Sequence, residues 1–132
     1  MGITQMKEIF VFGSNLAGIH GAGAAKTAYK KHGARWGMGA GHYGCSYAIP
    51  TKDQNIKTMP LEAIDMFIKV FLGYAAAHPE WDFKVTRIGC GLAGYKDEEI
   101  APMFALATGN VTFDNAWKPW LEKYGYTFWG TF

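Results

Sequence analysis

The sequence predicts an α/β domain built on a mostly parallel sheet with helices on both faces. Short apolar runs rich in β-forming residues alternate with stretches whose apolar residues recur at helical spacing. Two of the apolar runs lead into glycine-rich loops, and a predicted helix follows each loop. The 132 residues contain no internal repeat or linker, and this length fits a single domain with its own core.

The first half of the chain is predicted to contain two strands and a helix. Residues 8–13 are a short apolar run closed by Gly-Ser-Asn, which is typical of a buried strand. A helix is predicted over residues 23–33, and the glycines of residues 34–45 indicate a loop. The second strand covers residues 46–52 and is expected to end near Pro50, because proline has no N–H to donate to a ladder.

The second half is predicted to open with the longest helix. Pro60 suits its first turn, and apolar residues recur at helical spacing until the helix ends near His78. A third strand is predicted over residues 82–88, and a helix from Asp97, where acidic residues suit a helix N-terminus, to Gly109. Three short elements complete the prediction: a strand at residues 111–113, a helix at residues 117–123 and a strand at residues 126–132.

The composition argues against several classes of partner. The net charge is +2 and the basic residues are spread along the chain, so no nucleic-acid surface is expected. No apolar run approaches the roughly 20 residues of a membrane span, and no signal-peptide core is present. Cys45 and Cys90 form no CxxC pair, which predicts a reduced, cytoplasmic protein. No cofactor is expected. The oligomeric state stays open, because three tryptophans could lie in the core or at an interface: Trp117, Trp120 and Trp129.

Two glycine-rich loops carry the main functional signal. Glycine lets the backbone approach a ligand closely, and free N–H groups at the start of a helix favour a phosphate. Two such loops predict a ligand with two phosphates, whereas the alternative is that the glycines only permit tight turns. The predicted ligand-binding residues are Gly13, Ser14, Asn15, His20, Gly21, Ala22, Gly23, Ala24, Gly89, Cys90, Gly91, Leu92, Ala93, Gly94 and Tyr95.

The same loops carry a resemblance to a known family. Residues 11–15 with 21–25, and again residues 87–92, resemble the macro domain family, most closely its branch of ADP-ribosyl-glutamate hydrolases. Over about residues 9–111, the resemblance implies a three-layer α/β/α fold with a mixed, mostly parallel central sheet and a cleft at the carboxyl ends of the strands. It also implies ADP-ribose, or a protein or nucleotide derivative of ADP-ribose, as the ligand.

The resemblance further implies roles for parts of the two loops. Asn15 would face the distal ribose of the ligand. The backbone of residues 21–24 would line one phosphate, and residues 89–94 would hold the other side of the pyrophosphate.

The catalytic residues of the hydrolase branch match this sequence in part. Lys52, after the central strand, matches a lysine that attacks the distal anomeric carbon in that branch. The branch places its catalytic carboxylate directly after the Gly-Cys-Gly-Leu run, where this sequence has Ala93. The nearest following acid is Asp97, which we predict as the acid/base group ahead of Asp53.

Several other side chains have two interpretations. His20 could hydrogen-bond a phosphate or be a solvated loop histidine. Tyr95 could stack on adenine or belong to the core. Cys90 could be a nucleophile or a small buried thiol. His42 and Cys45 have the spacing of a metal pair, but two ligands without a partner motif are a weak zinc signal, so no metal is predicted.

Three functions are therefore open from the sequence. The first is an enzyme that hydrolyses an ADP-ribosyl bond, with Lys52 and Asp97 as catalytic residues. The second is a module that binds ADP-ribose or a nucleotide signal without chemistry, which Ala93 favours. The third is a small nucleotide-phosphate enzyme that uses His20 or Cys90.

Overall fold

The computed structural model describes residues 7–132, in which strands and helices alternate. The strands are β1 (Lys7–Asn15), β2 (Gly41–Tyr43), β3 (Ser46–Lys52), β4 (Trp81–Val85), β5 (Val111–Asp114) and β6 (Phe128–Gly130). The helices are α1 (Gly23–Lys31), α2 (Leu61–Ala77), α3 (Asp97–Ile100) and α4 (Lys118–Leu121). Short 3₁₀ segments cover Ala101–Phe104, Asn115–Trp117 and Glu122–Tyr124.

The strands form one mixed sheet in the order β2-β3-β1-β4-β5-β6. β1 pairs in parallel with β3 and β4, β5 pairs in parallel with β4 and β6, and β2 pairs antiparallel with β3. Because parallel strands share the direction of their carboxyl ends, the loops after β1, β3 and β4 meet at one edge of the sheet. The prediction of an α/β fold with a mixed, mostly parallel sheet flanked by helices is confirmed.

Alternate residues of β1 face two separate apolar clusters. Ile9 and Val11 belong to the larger cluster, which α2 and the segments after β4 cover. Phe10 and Phe12 belong to a smaller cluster with Ala28 of α1. A strand with apolar residues on both faces is typical of a central strand in a parallel sheet, and this explains why β1 reads as a continuous apolar run.

Two differences from the predicted elements concern the region around β3. Residues 41–43 lie in the predicted loop but pair with β3 as the short strand β2. β3 itself continues through Pro50 to Lys52. The antiparallel pairing with β2 reaches only Ala48, so β3 has no partner on that side at Pro50 and the missing N–H is tolerated.

The predicted third helix is much shorter than expected. α3 ends at Ile100 after four residues, and the chain continues as a 3₁₀ segment with Pro102 in its first turn. Proline lacks the N–H that an α-helical hydrogen bond would require, which accounts for the change. The helix also begins only at Asp97, so the second glycine loop does not lead directly into a helix N-terminus.

No helix in residues 7–132 has both the length and the apolar character that crossing a membrane requires. α2, the longest at 17 residues, instead packs one face on the larger cluster.

Candidate functional site

A cavity of about 480 Å³ opens at the carboxyl ends of β1, β3 and β4. Both glycine loops line it, together with residues from the ends of β3, β4 and β5. Its wall consists of Gly13, Ser14, Asn15, Ile19, Gly21, Ala22, Gly23, Ala24, Ala25, Thr51, Lys52, Ile56, Thr86, Arg87, Gly89, Cys90, Gly91, Leu92, Ala93, Asp114 and Phe132.

The first glycine loop is held in shape by its own polar groups and by close backbone packing. The side-chain amide of Asn15 donates to the Ile19 carbonyl at 2.9 Å, and its Oδ1 accepts from the Ile19 N–H at 3.0 Å. A Cβ on Gly18 would lie 2.2 Å from the carbonyl carbon of Gly37, so only glycine fits there. These contacts fix the backbone that leads to the start of α1.

The N-terminus of α1 opens into the cavity without a cap. Its N-cap residue, Ala22, provides no side-chain acceptor, and the first turn contains no acidic residue. Within the described part of the chain, the N–H groups of Gly23, Ala24 and Ala25 have no hydrogen-bond acceptor. Free N–H groups at the positive end of a helix dipole are suited to bind an anion.

The second glycine loop presents a further set of free N–H groups. The Gly94 N–H donates to Gly91 at 3.1 Å and the Tyr95 N–H donates to Gly89 at 2.9 Å, which closes the loop. For residues 91–93, no backbone N–H finds an acceptor within residues 7–132. The hydroxyl of Thr58 donates to the Ala93 carbonyl at 3.1 Å and ties this loop to the segment after β3.

The glycines in the two loops differ in what the fold requires of them. Gly89 and Gly94 have positive φ values of 76° and 86°, which favour glycine. Gly21 and Gly91 have no positive φ, and a Cβ on either would meet no atom within 4 Å. The tight-turn interpretation therefore does not explain Gly21 or Gly91, both of which line the cavity.

Two cationic side chains lie in the cavity wall. Lys52 ends β3, is half-buried and forms no ion pair within the described residues. Arg87 follows β4, and its side chain remains 44% exposed while it pairs with Asp97. The one acid in the wall, Asp114, is completely buried. Because Asp97 pairs with Arg87, the accessible unpaired charge of the cavity wall comes from Lys52 and is positive.

Asp97 does not line the cavity, although it was predicted as the acid/base group. Its Oδ1 accepts from Arg87 Nε at 2.9 Å and from the Trp117 indole at 2.8 Å, and its Oδ2 accepts from Arg87 Nη2 at 2.7 Å. The hydrogen bonds from Arg87 chiefly hold the pKa of Asp97 below its usual range. A carboxylate so engaged is suited to a structural role rather than to proton transfer.

Asp53, the other acid considered for catalysis, closes the loop after β3. Its Oδ1 accepts from the N–H of Asn55 at 2.8 Å and of Lys57 at 3.0 Å. Although adjacent to Lys52 in sequence, Asp53 is not part of the cavity wall.

Asp114 is a polar wall residue that the sequence analysis missed. Its Oδ1 accepts from Ala116 N–H at 2.9 Å, and its Oδ2 accepts at 3.1 Å from both the Thr131 hydroxyl and the Phe132 N–H. Asp114 thus fixes residues 131–132 beside the cavity, where Phe132 contributes to the wall.

Three predicted binding residues lie outside the cavity wall. His20 is buried, and its Nε2 donates to the carbonyls of Arg35 at 2.9 Å and Met38 at 3.2 Å. His20 therefore holds the first glycine loop against the segment after α1. Tyr95 packs on the larger cluster and donates its hydroxyl to the Met59 carbonyl at 2.6 Å. Gly94 serves the turn of the second loop rather than its cavity face.

Cys90 lines the cavity but is not activated as a nucleophile. Burial, followed by the nearby negative charge of Asp97, raises the pKa of the Cys90 thiol to about 12. The thiol therefore remains protonated at neutral pH, which disfavours the interpretation of Cys90 as a nucleophile.

His42 and Cys45, the weak metal pair, do not form a cluster in the structure. The His42 ring nitrogens lie 2.6 Å from the Tyr74 hydroxyl and 2.7 Å from the Gly44 carbonyl oxygen. In the described residues, no group of three or more potential metal ligands comes together.

The remaining missed wall residues divide by whether the sequence signals them. Thr51 and Thr86 lie at the carboxyl ends of β3 and β4, where ligand-facing residues of a parallel sheet are expected. Arg87 follows Thr86 directly and also lies at the carboxyl end of β4. Ile19, Ile56 and Phe132 come from irregular segments, and no local pattern in the sequence marks them.

Comparison with known proteins supports the fold of this chain. No family model and no curated protein matches the chain. A solved structure described as a protein of unknown function from Bacteroides thetaiotaomicron is similar, with a TM-score of 0.59 and 17% sequence identity. The similarity covers 98% of this chain and 89% of that one. At this level of identity the likeness shows a shared fold alone.

Proposed function

We propose that this protein binds ADP-ribose, either free or as part of an ADP-ribosylated protein or nucleotide derivative, in the cavity between its two glycine loops. The proposal combines the sequence resemblance to macro domains with the physical character of the cavity. A ligand with two phosphates fits two sets of free N–H groups on opposite loops, one at residues 23–25 and one at residues 91–93.

The observation that carries the proposal is the pair Gly21 and Gly91. Neither glycine is required by backbone conformation or by packing against other atoms of the chain. A side chain at either position would instead project into open space at the cavity wall. A ligand that approaches the backbone at both places would explain why neither residue has a side chain.

The charge of the cavity supports an anionic ligand. Lys52 and Arg87 lie in the wall, and the buried carboxylate of Asp114 already accepts three hydrogen bonds from the chain. Arg87 is held in place by Asp97 through two hydrogen bonds. A cation fixed in this way can interact with a phosphate without losing much side-chain entropy.

Hydrolysis of an ADP-ribosyl bond is the second candidate, and Lys52 favours it. Lys52 lines the cavity and has no ion-pair partner in residues 7–132. Its free amine could attack the distal anomeric carbon and displace the acceptor carboxylate, after which water would cleave the new carbon–nitrogen bond, release ADP-ribose and restore the lysine. The position after Leu92 is Ala93, however, and Asp97 is engaged by Arg87. Binding without turnover is therefore the better-supported function.

The binding proposal is tested by filling the space that the two glycines leave open. We expect ADP-ribose to bind the native chain in calorimetric titration, and Gly21→Val and Gly91→Val each to weaken binding at least about tenfold. Gly109→Val is the matched control, because Gly109 is equally unconstrained but lies outside the cavity. Native affinity in both cavity variants, or no binding by the native chain, would contradict the proposal.

Turnover is measured separately with a peptide that carries ADP-ribosyl-glutamate. Binding of this peptide without release of ADP-ribose supports the binding module. Release that Lys52→Ala abolishes, while ADP-ribose affinity is retained, would establish the hydrolase instead.

A further inference from the structure

The backbone at Ile56 has an unfavourable conformation. Within residues 7–132, Ile56 is the one residue other than glycine with a positive φ, at 62°. This left-handed region is disfavoured for side chains that branch at Cβ, because the Cβ crowds the backbone. Asn55, a residue type that adopts it readily, is the immediate neighbour but does not occupy the position.

The hydrogen bonds of the loop after β3 impose this conformation. The N–H of Asp53 donates to the Lys57 carbonyl at 2.8 Å, and the N–H of Ile56 donates to the Asp53 carbonyl at 3.1 Å. The Oδ1 of Asp53 also accepts from the N–H groups of Asn55 and Lys57. Since four hydrogen bonds define the turn, the strain at Ile56 persists.

Packing within the protein does not explain why isoleucine occupies this place. The Ile56 side chain is 40% exposed and belongs to neither apolar cluster. It lines the cavity, as does Lys52 at the start of the same segment. Packing in the two apolar clusters therefore does not compensate for the strain, whereas a bound ligand would cover the exposed part of the aliphatic surface.

We propose that Ile56 determines specificity for the end of the ligand that lies beside Lys52, by packing on the C–H face of the distal ribose. This inference rests on the proposed function and on the resemblance to macro domains, which implies that the distal anomeric carbon of the ribose lies next to Lys52. Strained residues that persist in a fold are concentrated at ligand sites, where a favourable contact with the ligand can compensate for the strain.

The test is Ile56→Asn, measured for thermal unfolding and for affinity toward two ligands. Asparagine adopts the left-handed region readily, so we expect the melting temperature to rise by about 3–6 °C. Affinity for ADP-ribose should fall about tenfold, because the aliphatic contact is lost. Affinity for ADP, which lacks the distal ribose, should stay within about twofold of the native value.

Two further variants serve as controls. Ile56→Val keeps most of the branched aliphatic surface, so it should lose less affinity for ADP-ribose than Ile56→Asn and keep the native melting temperature. Val70→Ala removes an exposed aliphatic side chain from α2, outside the cavity, and should leave both affinities unchanged.

The outcomes separate this inference from the proposed function. If the native chain binds neither nucleotide, the proposed function fails and the inference fails with it. If the native chain binds ADP-ribose, the inference alone is overturned by native affinity in Ile56→Asn, by an equal loss toward ADP, or by a melting temperature that does not rise.

Discussion

Replacing Asp97 by alanine distinguishes a structural carboxylate from a catalytic one. In the structure, Asp97 accepts two hydrogen bonds from Arg87 and one from the indole of the completely buried Trp117. Alanine removes both acceptor oxygens and all three hydrogen bonds at once. The indole N–H would then be left without a partner in a place that water reaches poorly.

The size of the effect follows from the exposure of each partner. An unpaired buried donor costs roughly 1–3 kcal/mol. The Arg87 side chain is 44% exposed, so loss of its ion pair adds only about 0.5–1 kcal/mol after screening by solvent. The expected destabilisation is therefore about 2–4 kcal/mol. For a chain of this length, each 1 kcal/mol corresponds to roughly 3–4 °C, so the melting temperature should fall by about 6–16 °C.

The assay is thermal unfolding followed by circular dichroism, with two comparison variants. Asp97→Asn keeps an acceptor for the indole and loses the charge, so it should cost only about 1 kcal/mol. Glu98→Ala removes an exposed acid from the same turn of α3 and should change the melting temperature little. A native melting temperature in Asp97→Ala, combined with loss of ADP-ribosyl hydrolysis, would refute the structural role.

Three further predictions concern titration and buried polar groups. The hydrogen bonds from Arg87 chiefly lower the pKa of Asp97, so the ionised carboxylate stabilises the folded protein. This stabilisation is complete above about pH 4 and is lost as the pH falls through the lowered pKa. Urea unfolding between about pH 5 and about pH 2.5 should therefore show a smaller loss of stability in Asp97→Asn than in the native chain. Iodoacetamide at pH 8 should label the exposed Cys45 and spare Cys90, as peptide mass spectrometry would report, and rapid labelling of Cys90 would contradict its raised pKa. Asp114→Asn replaces an acceptor by a donor, so the melting temperature should fall by about 3–10 °C; an unchanged value would contradict its role in holding residues 131–132.

The sequence predicts the sheet and the two loops because these depend on local pattern. β1 and α2 are recognisable from apolar periodicity, and β3 begins at the predicted residue 46 but continues past Pro50, its expected end, to Lys52. The predicted Asp97-to-Gly109 helix fails because the segment contains Pro102. β2 is missed because three residues rich in glycine become a strand only through pairing with β3.

The cavity wall is predictable where it follows strand ends and glycine loops. Most loop residues predicted from the sequence line the cavity. His20 does not, because its ring points into the protein and donates a hydrogen bond to the Arg35 carbonyl. The sequence places Asp97 at the start of a helix, but its actual partners, Arg87 and Trp117, are fixed by tertiary packing. Ile56 carries no sequence signal, since its conformation depends on the hydrogen bonds of the whole loop.

In the proposed function, backbone N–H groups of both glycine loops bind the two phosphates of ADP-ribose. Amide chemical-shift mapping by NMR, as ADP-ribose is titrated into the isotope-labelled full chain, tests this residue by residue. If both loops bind phosphate, the largest shifts will occur at residues 23–25 and 91–93, with little change at Gly109. A second, smaller cavity is lined by His32 and Lys84. Shifts confined to one glycine loop, or centred on this second cavity, would contradict phosphate binding by both loops.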